Sequence, residues 1–243
     1  MSARRFRPSV PVTIATLVAL AILIGLGTWQ MDRLAWKTDL IAHIDAGLAA
    51  GPVDLPGDAP GAMVWEYRRV RVTGYFLHDH ESYIGPRLYT GTDGRQHQGV
   101  HVLTPLVRAD GAGTVLVDRG WVPLDRRDPA TRADGQVVGT VTVTAIARVP
   151  QGQGFMQPDN RPDKRDFFWL DMGALAAIAG VDRLAPLVLQ ADDTPNPGGL
   201  PIGGRTIIQL KNDHLSYALT WYGLALTLVG VYIAFGFRRQ DPA

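Results

Sequence analysis

The last apolar segment of the chain begins with the stretch Lys211-Asn212-Asp213-His214-Leu215-Ser216-Tyr217-Ala218-Leu219-Thr220-Trp221-Tyr222-Gly223. No charged residue occurs from Leu215 to Phe237, and a helix of about 20 apolar residues is long enough to cross the hydrocarbon core of a bilayer. Asn and Asp are favoured N-cap residues, so Asn212 and Asp213 indicate where this helix begins. The pattern predicts a transmembrane helix over residues 212–237.

The start of this helix predicts more than a simple membrane anchor. Residues three or four positions apart share one face of a helix, and five such residues form one stripe here: His214, Tyr217, Ala218, Trp221 and Ala225. Imidazole is a common axial ligand of haem iron, and the rings of Tyr217 and Trp221 offer flat surfaces beside it. The alternative is an interfacial histidine that hydrogen-bonds the other helix or a lipid head group.

A second uncharged segment, residues 8–31, lies near the start of the chain. It is too long for the apolar core of a typical signal peptide, and Trp29 suits the aromatic belt of a membrane interface. We therefore predict a first transmembrane helix over residues 10–31, which continues as a helix beyond the membrane until Gly51-Pro52.

Small residues four positions apart are a common device for packing membrane helices. The first segment contains two such pairs, Ala15/Ala19 and Ala21/Gly25. They predict a contact with the second segment, although small residues are also simply frequent in membrane helices.

Basic residues flank both segments on their outer sides. Three arginines lie within residues 1–9 and two within residues 238–243. By the positive-inside rule both ends are expected to be cytoplasmic, which leaves residues 32–211 outside the cytoplasm. Few residues precede the first segment, too few for a mitochondrial transit peptide, so we expect a bacterial inner membrane.

Three residues, Arg33, Trp36 and Lys37, lie about one helical turn past the first predicted span and, together with Trp29, form a collar of cationic and aromatic side chains. Such a collar could receive haem propionates or lipid phosphates through charge-assisted hydrogen bonds. Ordinary anchoring at the membrane interface is the alternative.

Between the two segments the hydrophobic period changes to that of strands, as where Val70 and Val72 alternate with arginines. The predicted strands are 67–76, 82–84, 100–107, 114–122, 137–149, 187–190 and 205–210. One short helix is predicted between Asp171 and Gly180. The fold class is therefore α+β, with two transmembrane helices that flank an antiparallel, β-rich extracytoplasmic domain containing a short helix.

Composition excludes several classes of chemistry. The chain has no cysteine, which rules out disulfides, thiolate zinc sites and iron–sulfur ligation. A net charge of +1 without a basic, aromatic-rich patch gives no reason to expect nucleic acid. Four serines without a Gly-x-Ser-x-Gly motif make hydrolase chemistry, and enzymatic activity in general, an unfavoured interpretation.

Four other histidines give weaker indications of metal binding. His78 and His80 would share a strand face, but two ligands do not complete a zinc site, so a solvated turn with Glu81 is the favoured interpretation. His97 and His101 lie in a polar loop and at the start of a predicted strand, and the same preference applies.

A series of short motifs carries a resemblance that covers nearly the whole chain. They are Gly27-Thr28-Trp29-Gln30, Gly85-Pro86-Arg87, Thr104-Pro105-Leu106, Leu116-Val117-Asp118-Arg119-Gly120-Trp121-Val122-Pro123, Trp169 with Asp171, and Asn212-x-His214-Leu215-x-Tyr217-Ala218-x-Thr220-Trp221-Tyr222-Gly223. Their order between two apolar segments resembles the surfeit locus protein one family of cytochrome c oxidase assembly factors.

The resemblance implies a non-enzymatic role, in which the protein assists insertion or stabilisation of haem a in the large catalytic subunit of cytochrome c oxidase. It implies transient binding of haem a, with His214 as the iron ligand. The haem a synthesis enzyme and membrane lipid are further expected partners. Two other interpretations stay open: a scaffold that binds nascent oxidase subunits without cofactor, and a membrane-tethered enzyme acting outside the cytoplasm.

Overall fold

The computed structural model describes residues 6, 8–57, 61–91, 94–205 and 211–237. Its helices and strands are α1 (Val10–Ala49), β1 (Val53–Asp54), β2 (Arg69–Phe76), β3 (Ser82–Thr90), β4 (Gln96–Arg108), β5 (Thr114–Pro123), β6 (Val141–Arg148), β7 (Asp166–Phe167), α2 (Met172–Ala179), β8 (Val188–Ala191) and α3 (His214–Gly236). The predicted fold class is confirmed, since two apolar helices flank a strand-rich region. The expected cytoplasmic end 238–243, most of 1–9, and residues 206–210 of the last predicted strand lie outside the described residues.

The chain divides into two units, of which the first contains α3 and α1 up to His43. Both helices are long and apolar enough to cross a membrane. Within the most apolar 18-residue segment of each helix, only 6% of the residues in α1 and 11% of those in α3 are buried in the protein. A core helix of a soluble protein would be mostly buried, so these exposed apolar surfaces favour contact with lipid. As the sequence predicts, α1 continues well past its apolar part and ends just before Gly51-Pro52.

The two long helices run antiparallel and contact each other through side chains. Near one end Thr13 Oγ1 lies 2.7 Å from the Tyr232 hydroxyl, and near the other Gln30 Oε1 lies 2.7 Å from His214 Nδ1. Between residues 13 and 37, the less exposed positions of α1 recur after every three or four residues: 13, 16, 19/20, 23, 26/27, 30, 34 and 37. This period of 3.5 residues is typical of two helices that share a long seam.

The small residues in this seam differ from those that the sequence spacing predicts. Ala15 and Ala21 are exposed, and a Cβ atom built on Gly25 would have no heavy atom within 4 Å. On Gly27, by contrast, a Cβ atom would lie 2.6 Å from the ring of Tyr222. Neither predicted pair lies in the seam as a pair, since Ala19 alone of the four residues is half-buried. The seam combines threonine, leucine, glycine and glutamine side chains, which a rule based on small residues does not capture.

The second unit, Ile44–Ile208, is built on a mixed sheet. Its strand order is β1-β2-β6-β8-β5-β4-β3-β7, and an additional β2–β4 pairing closes β2, β6, β8, β5 and β4 into a barrel. The consecutive strands β3, β4 and β5 pair antiparallel, as predicted, whereas β1–β2, β3–β7 and β5–β8 are parallel. A parallel neighbour requires a long crossover, and for β5–β8 the crossover includes β6 and α2.

Alternating side chains of the barrel strands form its interior. Val70 of β2, Val117 of β5 and Leu189 of β8 are completely buried there. Because successive side chains of a strand point to opposite faces, the residues that alternate with these interior residues along each strand form an outer face. That alternation is what gives this unit one core inside the barrel and a second one outside it.

Helix α2 covers the outer face of the sheet. Leu175 of this helix packs with Leu103, Leu116 and Val188, which come from β4, β5 and β8. The helix begins where the sequence predicts, since the carboxylate of Asp171 accepts hydrogen bonds from two backbone N–H groups of its first turn.

A buried ion cluster links strand β5, which carries Arg119, to the segments that carry Glu81 and Arg132. Glu81 contacts Arg132 at 2.5 Å and Arg119 at 3.4 Å, and all three side chains are at most 2% exposed. Burial raises the pKa of Glu81, but hydrogen bonds from His78 and Arg132 and the charges of both arginines outweigh it and lower that pKa to about 2. Burial lowers the pKa of Arg119 to about 10. The interpretation of Glu81 as part of a solvated turn is therefore wrong.

Candidate functional site

His214 occupies the first turn of α3, where its imidazole contacts α1. Its Nδ1 lies 2.7 Å from Oε1 of Gln30, a side chain that is only 9% exposed. With the proton on Nδ1, the ring donates to Gln30 and keeps the lone pair of Nε2. Histidines that bind metals are commonly oriented in this way by an acceptor on their second nitrogen. The local arrangement is therefore suited to ligation through Nε2.

The polar residues before α3 act differently from the sequence prediction. Asp213 stands at the N-cap, as predicted, but its carboxylate makes no capping bond and pairs with Lys211 at 2.7 Å. The side-chain amide of Asn212 donates to Thr38 Oγ1 at 3.4 Å. The Oδ1 atom of Asn212 is buried and, among the described residues, has no hydrogen-bond partner. A buried acceptor thus remains available two residues from His214.

The predicted stripe on α3 divides into an inner and an outer part. Trp221 is half-buried and Ala218 fully buried, on the side of the helix that carries His214. Tyr217, which the same stripe includes, is 57% exposed. The structure therefore brings Trp221 together with His214 on the seam, and it places Tyr217 at the flank.

The predicted collar on α1 likewise lies on two faces. The guanidinium of Arg33 stands 5.8 Å from the ring centre of Trp29 and 5.6 Å from that of Trp36, which are cation–π distances. These three side chains are exposed and form one outward face. Lys37 is half-buried and lies seven residues after Gln30, so it shares the seam face instead.

Gln30 is the member of this site to which sequence reasoning assigned no role. The signal was present, because a carboxamide inside an uncharged apolar segment is costly unless it is hydrogen-bonded. That reasoning predicts a polar partner on the facing helix, and His214 is this partner.

Comparison with known proteins shows the family to which the chain belongs. The family model of the SURF1 family matches residues 17–226, a range that includes both Gln30 and His214. The chain belongs to the SURF1 family. The resemblance drawn from the sequence motifs is thereby confirmed.

Several relatives of this SURF1-family chain are similar over most of their length. A SURF1-like protein of Monosiga brevicollis is 39% identical over 227 residues, which are 90% of this chain and 85% of the relative. Surfeit locus protein 1 of Mus musculus is 39% identical over 217 residues, covering 86% and 70% of the two chains. The human protein of the same name is 36% identical over 211 residues, covering 83% and 69%.

Proposed function

We propose that this protein is a membrane assembly factor for a haem–copper terminal oxidase, which holds haem a transiently through His214 and assists its delivery to the large catalytic subunit. The observation that carries the proposal is the 2.7 Å contact between His214 Nδ1 and Gln30 Oε1. Membership of the SURF1 family supports the assembly role. We place the protein in a bacterial inner membrane, with both termini cytoplasmic and the strand-rich unit periplasmic.

The side chains around His214 fit such a cofactor. Trp221 provides an aromatic surface on the seam, and the buried Oδ1 of Asn212 offers an acceptor for a hydroxyl group. On the outward face of α1, apart from the seam, Arg33 lies between Trp29 and Trp36 and would provide a cation for a carboxylate. Haem a, when bound, would supply an iron able to take a nitrogen ligand, and His214 would be the residue that provides it.

Each residue has a distinct task in this proposal. Gln30 orients the imidazole of His214 and holds its proton on Nδ1. The unprotonated Nε2 then has its lone pair available for the iron. Lys37, on the same face as Gln30, provides a second cation at that end of the helix pair. Tyr217 on α3 and the pair Trp29 and Trp36 on α1 are exposed aromatic side chains, to which lipid or the oxidase subunit would add the rest of the enclosure.

The test is the absorption spectrum of the full-length protein, purified in detergent from cells that make haem a. We expect a Soret band in the wild type and its loss in His214→Ala, with insertion and protein yield unchanged. His43→Ala is the matched control, because His43 is an exposed histidine of α1. A His214→Ala protein that keeps the wild-type spectrum at full occupancy would end the ligand assignment.

Gln30 is tested as a positioning residue. Gln30→Ala should lower haem affinity about tenfold, as the loss of an outer-shell hydrogen bond typically does. Gln30→Glu keeps an acceptor for Nδ1 and should restore binding. Equal loss in both variants would show that packing, and not orientation of the imidazole, explains the effect.

The cofactor-free scaffold remains the alternative that the same preparation tests. A wild-type protein without a Soret band, combined with full oxidase assembly by His214→Ala, would favour the scaffold. Arg33→Gln examines the collar in the same assay. Weaker haem retention with normal insertion supports a propionate contact, whereas unchanged retention identifies the collar as a membrane anchor.

A further inference from the structure

A cleft of about 460 Å³ opens on the outer face of the sheet, within the strand-rich unit. Strands β4, β5 and β8 place His101, Asp118 and Gln190 in its wall. Each lies two residues from an apolar residue that packs under α2, so all three share that outer face. The sheet surface thus changes from apolar to polar where the helix no longer covers it.

Two of these polar groups form a buried pair. His101 Nδ1 lies 2.9 Å from Asp118 Oδ2, and their side chains are 14% and 8% exposed. The other carboxylate oxygen of Asp118 accepts from the backbone N–H of Gly120 at 3.0 Å. Asp118 is therefore occupied by partners of its own, and the orientation of the imidazole is set.

The side-chain oxygen of Gln190 is a third polar group in the cleft wall. Its Oε1 atom is buried in the cleft wall and has no hydrogen-bond partner among the residues that the structure describes. Buried acceptors in native proteins are nearly always paired, and each exception needs an explanation. A donor group on a bound molecule provides one.

The mouth of the cleft carries positive charge on an aromatic surface. The guanidinium of Arg205 lies 4.6 Å from the ring centre of Tyr89 and donates to its hydroxyl at 3.3 Å. The rings of Tyr89 and Trp121 are 4.8 Å apart, and Trp121 Nε1 donates to the backbone carbonyl of Arg87 at 3.2 Å. Arg87 and Arg205 line the same cleft, and both are exposed.

We propose that this cleft binds a small planar organic acid that carries a hydrogen-bond donor. The carboxylate pairs with Arg205 and Arg87, the planar body packs on Tyr89 and Trp121, and the donor reaches Gln190. The volume lies within the usual range for small-molecule sites. The site uses only residues of the strand-rich unit, so it does not depend on the role assigned to His214.

The probe for this proposal is 4-hydroxybenzoate, titrated into the full-length protein in detergent and measured by calorimetry. Three companions each lack one feature: benzoate has no donor, 4-hydroxybenzamide has no charge, and inorganic phosphate has no ring. We expect 4-hydroxybenzoate to bind more tightly than all three. Absence of binding at millimolar concentration, or equal affinity for phosphate, would overturn the proposal.

Variants connect binding to the named residues. Arg205→Gln should weaken 4-hydroxybenzoate binding about tenfold, the usual consequence of losing a hydrogen bond to a charged group. Gln190→Leu should abolish the preference for 4-hydroxybenzoate over benzoate. Arg183→Gln is the control, because Arg183 is exposed and lies outside the cleft. If Arg205→Gln and Gln190→Leu, at unchanged unfolding temperature, both bind 4-hydroxybenzoate as the wild type and the Arg183→Gln control do, the assignment is wrong.

Discussion

Replacing Glu81 by glutamine removes the negative charge that two buried guanidinium groups share. Glu81 Oε1 lies 3.4 Å from Nη1 of Arg119 and 3.4 Å from Nη1 of Arg132, and Oε2 lies 2.5 Å from Nη2 of Arg132. The three side chains are 1–2% exposed, so water cannot take the place of the carboxylate. Removing one partner of a buried ion pair usually destabilises a protein by about 3–5 kcal/mol, and we expect that range for Glu81→Gln.

The same cluster predicts a pH dependence. The pKa of Glu81 falls from an ordinary value of 4.5 to about 2 in the folded protein. A carboxyl group with a lowered pKa contributes stability that is fully present above pH 4.5 and is lost as the pH falls toward 2. The shift corresponds to roughly 3 kcal/mol of unfolding free energy, which Glu81→Gln should no longer lose on acidification.

The assay is guanidinium chloride unfolding of the full-length protein in detergent, followed by far-ultraviolet circular dichroism at pH 7 and at steps down to pH 3. Asp54→Asn is the matched control. Asp54 pairs with Arg71 at 3.1 Å, but its side chain is 83% exposed. Loss of such a surface pair should change the unfolding free energy by less than about 1 kcal/mol.

Two results would refute this reasoning. The first is a Glu81→Gln protein that is no less stable than Asp54→Asn at pH 7. The second is a Glu81→Gln protein whose stability falls between pH 4.5 and pH 3 as steeply as that of the wild type. The first result would mean that the arginines find other partners in the folded protein, and the second that other groups cause the loss of stability in acid.

Three further predictions concern topology and close packing. A reporter fused after Asp110 should be active in the periplasm, and one at the C-terminal end should be active in the cytoplasm; a cytoplasmic signal after Asp110 would contradict the orientation. Gly120→Ala should destabilise by roughly 3 kcal/mol, because its φ is +112° and a Cβ would lie 2.1 Å from a backbone oxygen. Gly139→Ala, with φ +90° and open space, should cost only about 1 kcal/mol in the same thermal unfolding assay. Gly27→Ala should loosen the helix pair, because its Cβ would lie 2.6 Å from the Tyr222 ring; a cross-linking yield between α1 and α3 equal to that of the wild type would exclude this.

Local signals in the sequence determined which secondary structures form. Uncharged runs long enough to span a bilayer predicted both long helices, and alternation around Val70 predicted a strand. Asp171 and Gly180 marked the ends of α2, because capping depends on residues only two to four positions away. His214 and Trp221 could be proposed as site residues for the same reason, since a helix face is a property of local spacing.

Tertiary structure alone decided which of these residues meet. The partner of His214 is Gln30, which is 184 positions away, and no local pattern encodes such a distance. The β2–β4 pairing closes the barrel, and β8 pairs parallel with β5. Both pairings join strands that are far apart in sequence. The sequence around a polar residue can indicate that the residue is solvated, but its burial depends on the elements that pack over it in the fold. Glu81 lies in a buried ion cluster and His101 in the wall of a cleft for that reason.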